Sequence, residues 1–84
     1  MPEQLVGNVV HYFKGPSVAV VQLVGELAVG DRIRFHGHTT DFTEQLTSME
    51  VEHGKVERAV AGQEVAIQVT DRTREHDKVL KVTD

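Results

Sequence analysis

The sequence predicts an all-β fold, a single small closed β-barrel of six or seven strands, from three observations. Two stretches mirror each other, Leu27-Ala28-Val29-Gly30-Asp31-Arg32-Ile33 and Ala59-Val60-Ala61-Gly62-Gln63-Glu64-Val65-Ala66-Ile67. Each sets a Gly-polar turn directly before an alternating apolar run, the pattern of a tight corner that launches a strand. Short β-branched runs recur along the chain, with turn residues between them. Nowhere does an apolar pattern keep helical periodicity long enough for a helix.

Leu5 to Phe13 reads as the first strand, with Gly7, Val9, His11 and Phe13 on one face and Val6, Asn8, Val10 and Tyr12 on the other. Lys14-Gly15-Pro16 breaks it, because proline cannot donate to a ladder. Ser17 to Val24 returns as a hairpin partner, apolar on both faces, so its inner face stays open. Beyond the Gly30-Asp31 corner, Ile33 and Phe35 point inward and Arg32, Arg34 and His36 outward. Gly37 to Thr43 is polar and reads as a loop, with Phe42 plugging a barrel end. Gln45, Thr47, Met49, Val51 and His53 share one face of the next strand, which Gly54 ends. Val56 to Ala61 reads as at most one helical turn, stopped by Gly62. Val65, Ile67 and Val69 form an inward stripe, Asp71 to His76 a charged connection, and Val79 to Val82 the last strand. The whole chain, 1–84, is expected to be one domain, its core spanning about residues 6–82.

Thirteen acidic residues against nine basic ones give a net charge of −4, which opposes non-specific binding to a polyanion. With no cysteine, neither disulfides nor thiolate-bound zinc can reinforce so small a core, and a reducing cytoplasm fits. The N-terminus, Met1-Pro2-Glu3-Gln4, lacks the basic n-region of a signal peptide, and no apolar run approaches membrane-spanning length. The expectation is a cytoplasmic protein with no membrane association.

The order of these elements resembles domain two of the translational GTPases, the elongation factor Tu type of β-barrel. The residues that carry the likeness are Leu27-x-Val29-Gly30-Asp31-x-Ile33, Met49 and Val51, then Val56-x-x-Ala59-x-Ala61-Gly62-x-x-Val65-Ala66-Ile67, and Asp77-Lys78-Val79-Leu80. The chain is also similar to the small translation elongation factor-like proteins and to the C-terminal barrel of collagenase-like peptidase family proteins. Gln63 stands where that pattern often has an acid, Ala66 where it often has glycine, and His76 precedes Asp77 where glycine is common. The resemblance implies a closed barrel of the domain-two type and a surface for a protein partner or for RNA, either tRNA or ribosomal RNA. It implies neither GTP binding nor peptidase activity, because the chain has no Gly-x-x-x-x-Gly-Lys-Ser/Thr loop and the peptidase chemistry belongs to another domain.

No constellation of catalytic spacing is present, so the chain reads as a non-enzyme without a cofactor. Ser17 and Ser48 lack a base and an orienting acid at any informative spacing. His36-Gly37-His38-Thr39-Thr40-Asp41-Phe42 is the densest polar cluster. Its bland reading is a loop that bonds its own backbone. Its sharper alternative is a metal or ligand site on His36, His38 and Asp41. His11 and His53 read as neutral wall residues. Arg32 and Arg34 project from one strand face, Arg72 and Arg74 from the late connection, and side by side they would form a compact basic patch. Tyr12 and Phe13 would add a stacking surface, although Phe13 follows the core face. The leading reading is a non-catalytic module that docks a protein or RNA through Arg32, Arg34, His38, Thr39, Thr40 and Asp41. A metal- or ligand-binding protein and an accessory barrel of a separately encoded peptidase-like enzyme are the alternatives.

Overall fold

A computed structural model describes residues 3–83; the reading of Met1 and Pro2 and the position of Asp84 lie outside them. Ten strands form: β1 (Glu3–Phe13), β2 (Val18–Leu23), β3 (Leu27–Ala28), β4 (Arg32–His36), β5 (Asp41–Gln45), β6 (Met49–Val51), β7 (Gly54–Val56), β8 (Arg58–Ala59), β9 (Glu64–Gln68) and β10 (Lys78–Val82). Eight of them pair in the order β5-β4-β10-β1-β2-β9-β6-β7, and β3 pairs with β8. The all-β expectation holds, but the hydrogen-bonded ladder does not close, since β5 and β7 remain as edges. The sheet still wraps one core, because Val79, Phe35, Ile33, Val21, Val65, Ile67 and Met49 from five different strands belong to a single buried cluster. Burial of such aliphatic surface is the main driving force for a chain this small.

The two Gly corners are neighbours, since Leu27 pairs with Ala59 and Ala28 with Arg58. Both corners are β-turns with a positive φ on glycine, +100° at Gly30 and +93° at Gly62. The region is easy for glycine and costly for other residues. In the first, the Asp31 N–H donates to the Ala28 carbonyl (3.1 Å). The Ala28 N–H in turn donates to Asp31 Oδ2 (2.9 Å). In the second, Gln63 N–H donates to the Val60 carbonyl (3.2 Å) and Val60 N–H to Gln63 Oε1 (2.9 Å).

A third copy of this turn lies at Arg74–Asp77. There Asp77 N–H donates to the Arg74 carbonyl (3.1 Å), Arg74 N–H to Asp77 Oδ2 (2.8 Å), and the positive φ of +74° falls on His76. Each turn then grips one buried aliphatic residue through its backbone. Gly30 N–H donates to the Leu46 carbonyl while Leu46 N–H donates to the Asp31 carbonyl; Gly62 and Gln63 hold Leu23 likewise, and His76 and Asp77 hold Val9. All three gripped residues are in the core.

Several expectations are corrected by local geometry. Strand β1 carries register shifts at Leu5/Gly7 and at Val9/His11, and a β-bulge of this kind moves later side chains to the other face. Val6 and Val9 are therefore both buried, Tyr12 packs on the core, and Phe13 is 47% exposed instead of buried. His11 and His53 are exposed and are not wall residues. Much of the expected loop 37–43 is strand: β4 and β5 form a hairpin in which Phe35 pairs with Phe42, the rings stacked at 5.0 Å. The expected strand through Gln45 to His53 is interrupted at Leu46, Thr47 and Ser48, so that Leu46 and Met49 both reach the core. The expected helical turn at 56–61 is instead extended, with the end of β7, which pairs with β6, followed by β8, which pairs with β3. β6 and β7 are joined by Glu52-His53 with φ of +51° and +68°, the two positive values of a type I′ hairpin turn.

Candidate binding site

The residues singled out from the sequence separate into three groups. Arg34 stands on the outer face of β4, diagonal to Asp41 across the β4–β5 ladder. Its Nε donates to Asp41 Oδ1 (2.8 Å), Nη2 to Asp41 Oδ2 (2.9 Å), and Nη1 to both carboxylate oxygens of Glu3 (3.1 Å each). The fork is thus occupied by the chain's own acids, in the bidentate geometry that suits it. The pairing with Asp41 first, then Glu3, raises the Arg34 pKa, and Arg34 in turn holds the Asp41 carboxyl below the usual carboxylate range. Arg34 and Asp41 are a structural pair, so the predicted patch cannot use that guanidinium freely.

Arg32 lies elsewhere. It lines a recess of about 350 Å³ with Asp31, Gln45 and Lys81, at the far end of β4 from His36. Lys81 Nζ reaches Asp31 Oδ2 at 3.3 Å.

The third group is the tip of the β4–β5 hairpin. Gly37 N–H donates to the Thr40 carbonyl (2.8 Å), Thr40 is buried, and His38 and Thr39 are exposed. Glycine at 37 has a specific reason: a Cβ there would lie 1.9 Å from Asp77 Oδ1. The hairpin tip therefore sits directly on the Arg74–Asp77 turn. Between them, Thr39, Thr40, Asp41 and Phe42 face Asp71, Arg72 and Arg74 across a cleft of about 240 Å³. The same two arginines border a second cleft of about 420 Å³ beside Tyr12 and Glu75. Thr73 between them is buried, and its hydroxyl has no hydrogen-bond partner among the described residues. Glu75 is near His11 Nδ1 at 3.5 Å, and His11 meets Phe13 edge-on at 4.3 Å.

Among the described residues, neither Arg72 nor Arg74 has an ion-pair partner. The two arginine pairs expected side by side are thus replaced by Arg72 and Arg74 against the His38–Asp41 tip. Sequence spacing could not show this, because the contact depends on Asp77 folding onto Gly37. His36, His38 and Asp41 are not drawn into a cluster; among the described residues no three His, Asp or Glu side chains could hold a metal ion.

The fold has known counterparts. The C-terminal domain of a putative U32 peptidase from Geobacillus thermoleovorans superposes with a TM-score of 0.89 and 23% identity, covering 95% of this chain and 93% of that domain. The fold is that of a U32 peptidase C-terminal domain. Bacterial selenocysteine-specific elongation factor EF-Sec matches with a TM-score of 0.68 and 18% identity, over 95% of this chain but 14% of that one. In sequence, the chain is 37% identical over 75 residues to an uncharacterized protease of Methanocaldococcus jannaschii. That alignment covers 88% of this chain and 18% of the relative's length. No protein-family model matches. Both expected resemblances, to a translation factor and to a peptidase C-terminal barrel, are thereby met. Among the described residues, no helix is long and apolar enough to cross a membrane.

Proposed function

We propose that the chain is a non-catalytic accessory module of a peptidase-like protein, docking a protein partner in the cytoplasm through Arg72, Arg74 and the His38–Asp41 hairpin tip. One observation carries this reading: the aligned part of the Methanocaldococcus protease is only 18% of that protein, leaving most of its length for any chemistry. The cleft supports the docking face, because two arginines without an internal partner stand there over a polar hairpin tip. Guanidinium forks hold carboxylates in bidentate fashion, and such contacts weaken as salt screens them.

RNA is the second reading, favoured by the same arginines beside Tyr12. Stacking and phosphate contact would combine there. GTP is expected to bind neither version, because the sequence has no phosphate loop.

Affinity capture of the tagged protein from its own cells, with and without ribonuclease, tests both. Retention of a peptidase-like protein after ribonuclease, lost in Arg72→Ala with Arg74→Ala at unchanged Tm, is the expected result. Capture that is unaffected by the double substitution places the docking face elsewhere. Loss of all captured material on ribonuclease treatment selects the RNA reading.

A further inference from the structure

A different groove, sharing no residue with the Arg72/Arg74 clefts, lies on the outer face of β2, β9 and β6. It measures about 650 Å³. Its origin is an unfinished ladder. β9 pairs with β2 through five residue pairs, from Val18↔Gln68 to Gln22↔Glu64, but with β6 through only Met49↔Ile67 and Glu50↔Ala66. Beyond Glu50, the type I′ turn at Glu52-His53 carries β6 away into β7.

The hydrogen-bonding direction of an antiparallel strand alternates residue by residue. Gln63 accepts from Leu23 N–H, so it faces the β2 side, and Glu64 consequently turns its N–H and carbonyl toward the gap left by β6. Its expected partner in register, Glu52, is not paired with it. The gap is one residue long, with Glu64 offering its N–H and carbonyl, and such free groups at a strand edge can pair with one residue of an added strand.

The side chains define what could fill it. Val20 and Ala66 floor the groove and Val51 flanks it, all half-buried, which explains why β2 is apolar on both faces. Glu50, Glu52 and Glu64 stand around that floor, and none has an ion-pair partner among the described residues. Lys55 is paired across from Glu50 in the β6–β7 ladder, but three carboxylates outnumber that lysine, and a further cation brought among them is attracted.

We propose that this groove binds an extended, lysine- or arginine-bearing segment of a partner protein, added as a strand beside Glu64. Main-chain pairing at Glu64 supplies the register. Because side chains alternate along a strand, the cationic ones share the outer face with the glutamates, beside the floor of Val20 and Ala66, while the small ones turn to the opposite face. The proposal stands independently of the Arg72/Arg74 docking face, and Arg72→Ala with Arg74→Ala leaves it untouched.

The probe is a ten-residue synthetic peptide of alternating lysine and threonine, titrated into the isotopically labelled protein and followed by NMR. Saturable shifts centred on Gln22, Glu50, Glu64 and Ala66 are expected. Glu50→Gln with Glu64→Gln, both at exposed positions, weakens binding at least tenfold. So does N-methylation of alternate peptide amides, which keeps the charge and removes main-chain donors. A glutamate-threonine peptide leaves the spectrum unchanged. Four results overturn the proposal: no saturable binding at millimolar peptide, shifts centred on another face, equal affinity of the N-methylated peptide, or groove shifts that follow protein concentration without peptide. The last assigns the groove to a second copy of this chain.

Discussion

The turns at Gly30 and Gly62 and the turn at His76 are the same device built with different residues. All three close a β-turn, cap its first N–H with the side chain at the fourth position, and hold one core residue by two backbone bonds. They differ in surroundings. An added Cβ at Gly30 or Gly62 meets nothing within 4 Å, whereas the His76 turn buries its Asp77 carboxylate against Gly37. The first two turns are local, so their glycines matter only for backbone conformation. The third is tied to another hairpin, so its fourth residue carries a tertiary contact as well as the cap.

The largest effect is expected where the two regions differ most. Gly37→Ala places a methyl group on the Asp77 carboxylate and should destabilise by about 1–3 kcal/mol, the scale of overpacking. In an Asp77→Ala background the same change should cost clearly less, because touching residues couple. Denaturant unfolding of the four proteins in that cycle measures it. Additivity there would mean that the hairpin tip and the turn are not joined through this contact.

Next come the two exposed corners. Gly30→Val and Gly62→Val should each cost about 1–2 kcal/mol through the positive φ alone. The two values should agree closely, given that neither Cβ meets a neighbour. A large difference in thermal midpoint between them would show that one corner carries a contact the other lacks.

The third turn should respond in the opposite sense. His76→Gly removes a left-handed histidine and is expected to gain about 0.5–1 kcal/mol, after allowing for the greater freedom of glycine in the unfolded chain. A loss of stability would mean that the imidazole itself contributes, and the three turns would then not be equivalent.

The smallest effect concerns the hairpin's outer face. Arg34 keeps the Asp41 carboxyl below its ordinary pKa, so the pair's contribution is complete above the unfolded pKa and is lost as pH falls through the folded one. Both side chains are partly in solvent, so the contribution to stability is small. An NMR titration of Asp41 should give a midpoint below that of an ordinary aspartate, and Arg34→Gln should bring it back. An unchanged midpoint would remove Arg34 as the cause.

The sequence by itself determined the all-β class, the inward stripes Ile33/Phe35 and Val65/Ile67/Val69, and the tight corners at Gly30 and Gly62, whose positive φ the structure supplied. These features depend on period-2 alternation and on turn chemistry, both of which act over a few neighbouring residues. The third turn was hidden because histidine occupies the position glycine marks elsewhere, and no internal repeat was legible. Tertiary structure alone decided the rest. Bulges in β1 turned Phe13 outward and Tyr12 inward, since one extra residue reverses every later side chain. The β4–β5 ladder brought Asp41 onto Arg34 and so withdrew from the expected patch the arginine that β4 had placed facing outward. The contact of Asp77 with Gly37 set Arg72 and Arg74 beside the hairpin tip, and the turn at Glu52-His53 opened the gap at Glu64. Each of these joins residues far apart in the chain, where pairing register and side-chain packing, rather than local preference, fix which groups meet.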